Sequence, residues 1–174
     1  GHILDVPAFI EPEVKHVYKS TMNLSLYKYS DDLFKWLTTM FPVDQVKLAY
    51  SLYNIGSINN KDTCFWMVNE TGMVCHDKVM RFDFKTGKRQ GYPSRKFKTD
   101  FGFTDTPAFG DHLLGRFSGQ KVYVVESEKS AILFYLRYKK LCLATSGASC
   151  LYKAKPDHIL LPDFDKAGEK WLEK

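Results

Sequence analysis

Residues 121–125, Lys-Val-Tyr-Val-Val, are the tightest constraint in the chain. A nearly unbroken β-branched run reads as a strand covered on both faces, which calls for helices packed against a parallel sheet. The following residues agree. Ala131, Leu133, Phe134 and Leu136 give 127–140 a helical period. Residues 141–144 form a second short apolar run, 145–149 a turn of small residues, and 158–161 a third strand. From Ala167 the pattern is helical again. This order predicts an α/β fold on a parallel sheet, whose ligands gather beyond the carboxyl ends of the strands.

Acids stand at those ends. Glu126 directly follows the first strand, and Asp163 and Asp165 follow the third, with Gly168 opening the turn into the last helix. Neighbouring parallel strands lie ~4.8 Å apart, so carboxylates at two such ends can converge. Three crowded carboxylates repel one another unless a cation lies between them, and hard oxygen ligands select Mg²⁺ or Mn²⁺. A divalent ion held there would bridge phosphate oxygens, as in phosphoryl transfer and phosphodiester cleavage. The same acids also precede helices and could simply cap them. Spacing alone leaves both readings open.

Upstream the texture is different. Residues 1–29, with Pro7 and Pro12, read as an extended arm. A helix starts after Ser30, with Asp31 and Asp32 suited to its first turn, and Phe41-Pro42 breaks it. A second helix spans 43–53, carries Lys47 as its one base, and stops at 54–56; this makes it core support rather than a DNA-reading helix. Strands follow at 64–68 and across 73–84, with turns at 69–72 and 85–88. Residues 97–109 read as loop and 110–114 as a helical turn. Between 78 and 100 eight bases, Lys78, Arg81, Lys85, Lys88, Arg89, Arg95, Lys96 and Lys98, face two acids, with Tyr92 and Phe97 interleaved. Such a stretch could follow a phosphate backbone while its aromatics stack on bases. It could equally be a solvated hairpin whose lysines protect its edge.

Composition narrows the class. Of 174 residues 44% are hydrophobic, enough for a sizeable core, and the net charge of +5 is only mildly basic. No apolar run nears the ~18 residues that a membrane span needs. The opening Gly-His-Ile-Leu-Asp lacks the regions of a signal peptide. A cytoplasmic chain is expected, and its abrupt start reads as a fragment of a larger protein. Four cysteines without a C-x-x-C pair argue against a disulfide scaffold or a zinc finger, and His76 beside Cys75 reads as a strand residue.

Three motifs carry a resemblance. Val124-Val-Glu126-Ser-Glu-Lys129-Ser-Ala131, then Ala144-Thr-Ser-Gly147, then Pro162-Asp163-Phe-Asp165-Lys-Ala-Gly168 resemble the TOPRIM domain of bacterial primases, topoisomerases, small nucleases and recombination mediators. The form of the third motif is more like primases and primase-helicases. Phe65-Trp66, Lys78 to Asp83 and 106–114 resemble segments preceding TOPRIM in primase cores, and the mobile-element primases look closest. Ser127 departs from the pattern, standing where many primases have glycine. The resemblance implies an arm (1–29), a basic α+β lobe (30–118) and a TOPRIM domain (119–174) cut short at its C-terminus.

It also implies roles. Glu126, Asp163 and Asp165 would be the catalytic and metal-binding acids, with Mg²⁺ or Mn²⁺ as cofactor. Lys78, Arg81, Lys88, Arg89 and Lys129 would contact template or nucleotide, while Gly147 and Gly168 serve turns. Lys129 could otherwise be a solvated helix lysine, and Glu128 an ordinary first-turn acid. The implied reaction is synthesis of RNA primers from ribonucleotides on single-stranded DNA, with a helicase or other replication protein as partner and no membrane. The same carboxylates would serve a TOPRIM nuclease, or a DNA-binding module without turnover.

Overall fold

The structure, a computed structural model, describes residues 14–90 and 107–163. Helices α1 (Val14–Ser25), α2 (Asp32–Leu37) and α3 (Val43–Tyr53) precede strands β1 (Ile55–Ile58), β2 (Asp62–Val68), β3 (Val74–Phe82) and β4 (Arg89–Gln90). These four strands form an antiparallel sheet in chain order. A three-residue helical turn at Asp111–Leu113 leads to β5 (Tyr123–Val125), α4 (Glu128–Tyr138), β6 (Cys142–Ala144), a 3-10 segment (Ala148–Lys153) and β7 (Ile159–Leu160). Here the sheet is parallel, in the order β6-β5-β7. The chain is thus mixed α/β, with one small antiparallel and one three-stranded parallel sheet. Among the described residues no helix is long and apolar enough to cross a membrane.

Alternation along β2 sets the layers. Every residue of this central strand is buried, because side chains point alternately to two covered faces. Cys64, Trp66 and Val68 pack in a smaller cluster with Met22 and Leu26. Phe65 and Met67 join the main core with Met80 and Phe82 of β3. That core continues through Tyr53 and Phe109 to Val124, Ile132 and Leu143, so side chains from both sides of residue 118 share it.

The arm expected over 1–29 is helical, not extended, from Val14 to Ser25; residues 1–13 lie outside the described residues. Tertiary packing supplies what local propensity does not. Trp66 Nε1 donates to Ser25 Oγ at 2.8 Å, and Ser25 Oγ donates to the Met22 carbonyl at 2.8 Å. Gly56 permits the approach, since a Cβ there would lie 2.1 Å from Ser25 Oγ. Gly56 belongs to β1, a strand in a stretch that the sequence reads only as a helix stop. Asn54, at φ 54, ends α3, and the chain then pairs at once with β2.

Asp31 caps α2 and does more than cap. It is fully buried and accepts from Phe34 N–H at 3.2 Å, Tyr50 Oη at 2.7 Å, Thr63 Oγ1 at 2.6 Å and Ser57 Oγ. One carboxylate therefore ties α2, α3, β1 and β2 together. Burial raises its pKa above the ordinary value, against the lowering effect of those hydrogen bonds.

The outer edge of β6 is closed by two contacts. Tyr53 Oη donates to the Cys142 carbonyl at 2.8 Å and accepts from the Cys142 N–H at 3.1 Å. Phe109 and Ala144 exchange backbone hydrogen bonds at 2.8 and 3.1 Å. An edge strand left open would invite pairing with another chain.

Candidate phosphate-binding and acidic site

Because β5 pairs directly with β7, the residues just beyond their carboxyl ends lie close together. A pocket of about 260 Å³ opens there, lined by Glu126, Asp163, Lys78, Arg89, Glu128, Lys129, Ser127, Ser146 and Gly147 over an apolar floor of Met80 and Phe82. Glu126 is buried at 8% exposure, and Asp163 is exposed. Acids from the parallel sheet and cations from the antiparallel sheet thus share one cavity.

Strand parity decides which bases reach it. Lys78 lies opposite Phe65 in the ladder and shares the face of β3 that carries Met80 and Phe82. Arg81 is three residues on and points to the other face. There its Nε and Nη2 donate to the two Asp62 carboxylate oxygens at 2.6 and 3.1 Å. The structure therefore places Arg81 in a fork with Asp62 and not on the pocket. Lys88 is exposed in the β3–β4 turn and does not line the pocket either. Arg89, beside it, does.

Lys129 reaches the pocket wall but is committed to structure. Its Nζ donates to the Gly87 carbonyl at 2.8 Å and lies 5.5 Å from the centre of the Trp36 ring. Desolvation lowers its pKa. Gly87, at φ +66, packs under Trp36 so closely that a Cβ would sit 2.3 Å from the ring. Lysine, glycine and tryptophan together pin the β3–β4 turn, and hence the start of β4, against α4.

The loop after β6 forms another wall. Gly147 has φ 141 and ψ 159, a region open essentially to glycine alone. Ser146 before it has φ +70. Its hydroxyl donates to Glu128 Oε1, and Lys78 Nζ donates to both Glu128 oxygens at 3.1 Å. From sequence Glu128 is a weaker site candidate than Glu126, open to the reading of an ordinary first-turn acid, yet it is 1% exposed. Its partners are distant in sequence, so no local signal could have paired them. For Arg81 a signal existed, namely strand parity.

Ser127 caps α4, accepting from the Ser130 N–H at 3.2 Å. Glu126 and Glu128 thus flank the cap and do not replace it. Asp165 and Gly168 lie outside the described residues, as do Tyr92, Arg95 to Lys98 and the helix expected from Ala167. Among the described residues no three His, Cys, Asp or Glu side chains gather as a ready metal-ligand set. His76 is a β3 residue. His112 Nε2 pairs with the Leu52 carbonyl at 2.8 Å, and neither His112 nor His158 lines the pocket.

Fold and site together define a mixed α/β protein with a polar pocket at the carboxyl ends of parallel strands. The chain belongs to the family described as Domain of unknown function (DUF6371), whose profile matches residues 31–160. That span holds Lys78, Arg89, Glu126, Glu128 and Ser146, and stops short of Asp163. No curated protein matches the sequence.

Proposed function

We propose that this chain is a TOPRIM-type, primase-like nucleotidyltransferase that joins ribonucleotides on single-stranded DNA. One observation carries the reading: Glu126 and Asp163, at the ends of adjoining parallel strands, share a pocket with Lys78 and Arg89 from the facing sheet. Acids and bases so arranged suit a ligand that is anionic yet brings a hard cation, as a nucleoside triphosphate does.

The donor set fits that cation. Glu126 and Asp163 offer carboxylate oxygens, the ligands that Mg²⁺ or Mn²⁺ prefers, and Asp165 would add a third. When bound, the ion would offset charge on the transferring phosphoryl group. Glu126 would accept the proton of the attacking 3′-hydroxyl. The new bond forms at the α-phosphorus as the bond to pyrophosphate breaks, and Lys78 and Arg89 would bind phosphate oxygens throughout. Lys129 lines the same pocket, and its ammonium is anchored by the Gly87 carbonyl beside the Trp36 ring. The proposed setting is the cytoplasm, beside a helicase or other replication protein.

The test is incubation with single-stranded DNA, ribonucleotides and Mg²⁺ or Mn²⁺, comparing wild type with Glu126→Gln. Template-dependent RNA products lost in the variant would support the reading. Degradation of DNA without nucleotides would replace it with a nuclease. Binding of DNA without turnover, unaffected by Glu126→Gln, would replace it with a binding module.

A further inference from the structure

We infer that Glu128 is a positioning residue, fixing the Lys78 ammonium and the Ser146–Gly147 backbone at the pocket wall without ligating a cation. Its oxygens are occupied. Oε1 accepts from Lys78 and Ser146, and Oε2 accepts from Lys78. Three of the roughly four acceptor positions of that carboxylate are therefore taken, and a metal ion at Glu128 would meet an ammonium already 3.1 Å from both oxygens.

The pair spans two sheets. Lys78 sits in β3, fifty residues from Glu128 at the first position of α4. Exposure is 15% for the lysine side chain and 1% for the glutamate. A buried ion pair contributes little net stability compared with an apolar pair of the same volume, while loss of one partner is costly. Its value here is placement. An ammonium has three donors, and two are spent on Glu128. The third remains for an oxygen of whatever enters the pocket, on a lysine already ordered before the ligand arrives.

Ser146 extends the argument. A non-glycine residue at φ +70 is held in a sparsely populated conformation by its surroundings. The hydrogen bond to Glu128 is a restraint of that kind, and Gly147 at φ 141 continues the turn. Glu128 therefore governs a side chain from one sheet and a backbone turn from the other.

Only the purpose of the fixed ammonium rests on the proposed phosphate chemistry; the positioning does not. The experiment compares wild type, Glu128→Gln, Glu126→Gln and Lys78→Met/Glu128→Gln by NMR and by calorimetry with Mn²⁺ and with tripolyphosphate. The NMR probes are the Lys78 ammonium resonance and hydrogen exchange of the Cys150 amide, which donates to the Gly147 carbonyl at 3.1 Å.

In Glu128→Gln the ammonium signal should broaden away and Cys150 should exchange at least ~10-fold faster, as a local opening allows. Tripolyphosphate should bind about 3–10-fold more weakly, and Mn²⁺ within about 2-fold of wild type. Glu126→Gln should lose Mn²⁺ and leave both NMR probes in place. The double variant leaves no lone buried charge, so it tests the Cys150 response even if the single variant unfolds. Unchanged Lys78 and Cys150 signals would overturn the positioning. Loss of Mn²⁺ in Glu128→Gln with both probes unmoved would make Glu128 a ligand. Wild type binding neither probe would sink the phosphate reading, and the NMR signals alone would then decide the positioning.

Discussion

Asp31 and Glu126 are both buried acids, and they sit in opposite kinds of surroundings. Asp31 is enclosed where α2, α3, β1 and β2 meet, and three hydroxyls and one N–H converge on it. Glu126 stands where β5 ends, on the wall of a cavity it shares with Asp163 and with cations from another sheet. Neutral donors on every side make the first a structural weld. The second lines a cavity together with Lys78 and Arg89 from the facing sheet, which suits it to the proposed ligand site. Burial alone does not separate the two; the chemistry of the neighbours does.

The largest effect should come from the weld. Asp31→Ala strands three hydroxyls and removes a helix cap, for a loss on the order of 3 kcal/mol in denaturant unfolding. Asp163→Asn, on the exposed side of the pocket, should stay within about 0.5 kcal/mol of wild type. Equal losses would erase the distinction.

Gly87→Ala should rank next. The added Cβ meets Trp36 at 2.3 Å in a backbone with φ +66, and overpacking of that sort costs about 2 kcal/mol. Because that turn leads directly into Arg89 of β4, polyanion affinity should fall too. A stability loss with affinity intact would show that the turn does not set the pocket.

Acid titration sharpens the contrast. Asp31 has its pKa raised in the folded chain, so its contribution is fullest below the unfolded value and declines as pH climbs through the folded value. Relative to Asp31→Asn, wild type should lose stability as pH rises from about 4. Parallel curves for the two proteins would mean that burial does not control this group.

The smallest effect separates two arginines. Arg89→Met should weaken single-stranded DNA binding about equally for all sequences and reduce the salt slope by about 1. Arg81→Met should leave that slope unchanged, because Asp62 holds its guanidinium. A reduced slope for Arg81→Met would return it to the binding surface.

Local pattern accounts for how much could be read in advance. The run at 121–125 and the helical period behind it foretold β5, α4 and β6, and placed Glu126 at a strand end. The two helices after Ser30 were legible from their breakers, Pro42 and Asn54. β1 and α1 were not. β1 is four residues long with a glycine inside, and α1 draws its stability from Trp66 and Gly56, which are far away in sequence. The pocket was half legible for the same reason. Acids at strand ends can be counted off a sequence, but the Lys78–Glu128 pair and the Arg81–Asp62 fork exist only once β3 has a register and a face.

The most direct test of the account is calorimetric titration of Mg²⁺ and Mn²⁺ into wild type and Asp163→Asn, alone and then with a nucleoside triphosphate. The account predicts saturable metal binding in wild type, strengthened by the nucleotide and lost in a variant that melts like wild type. Identical titrations for the two proteins, with nucleotide present, would contradict it.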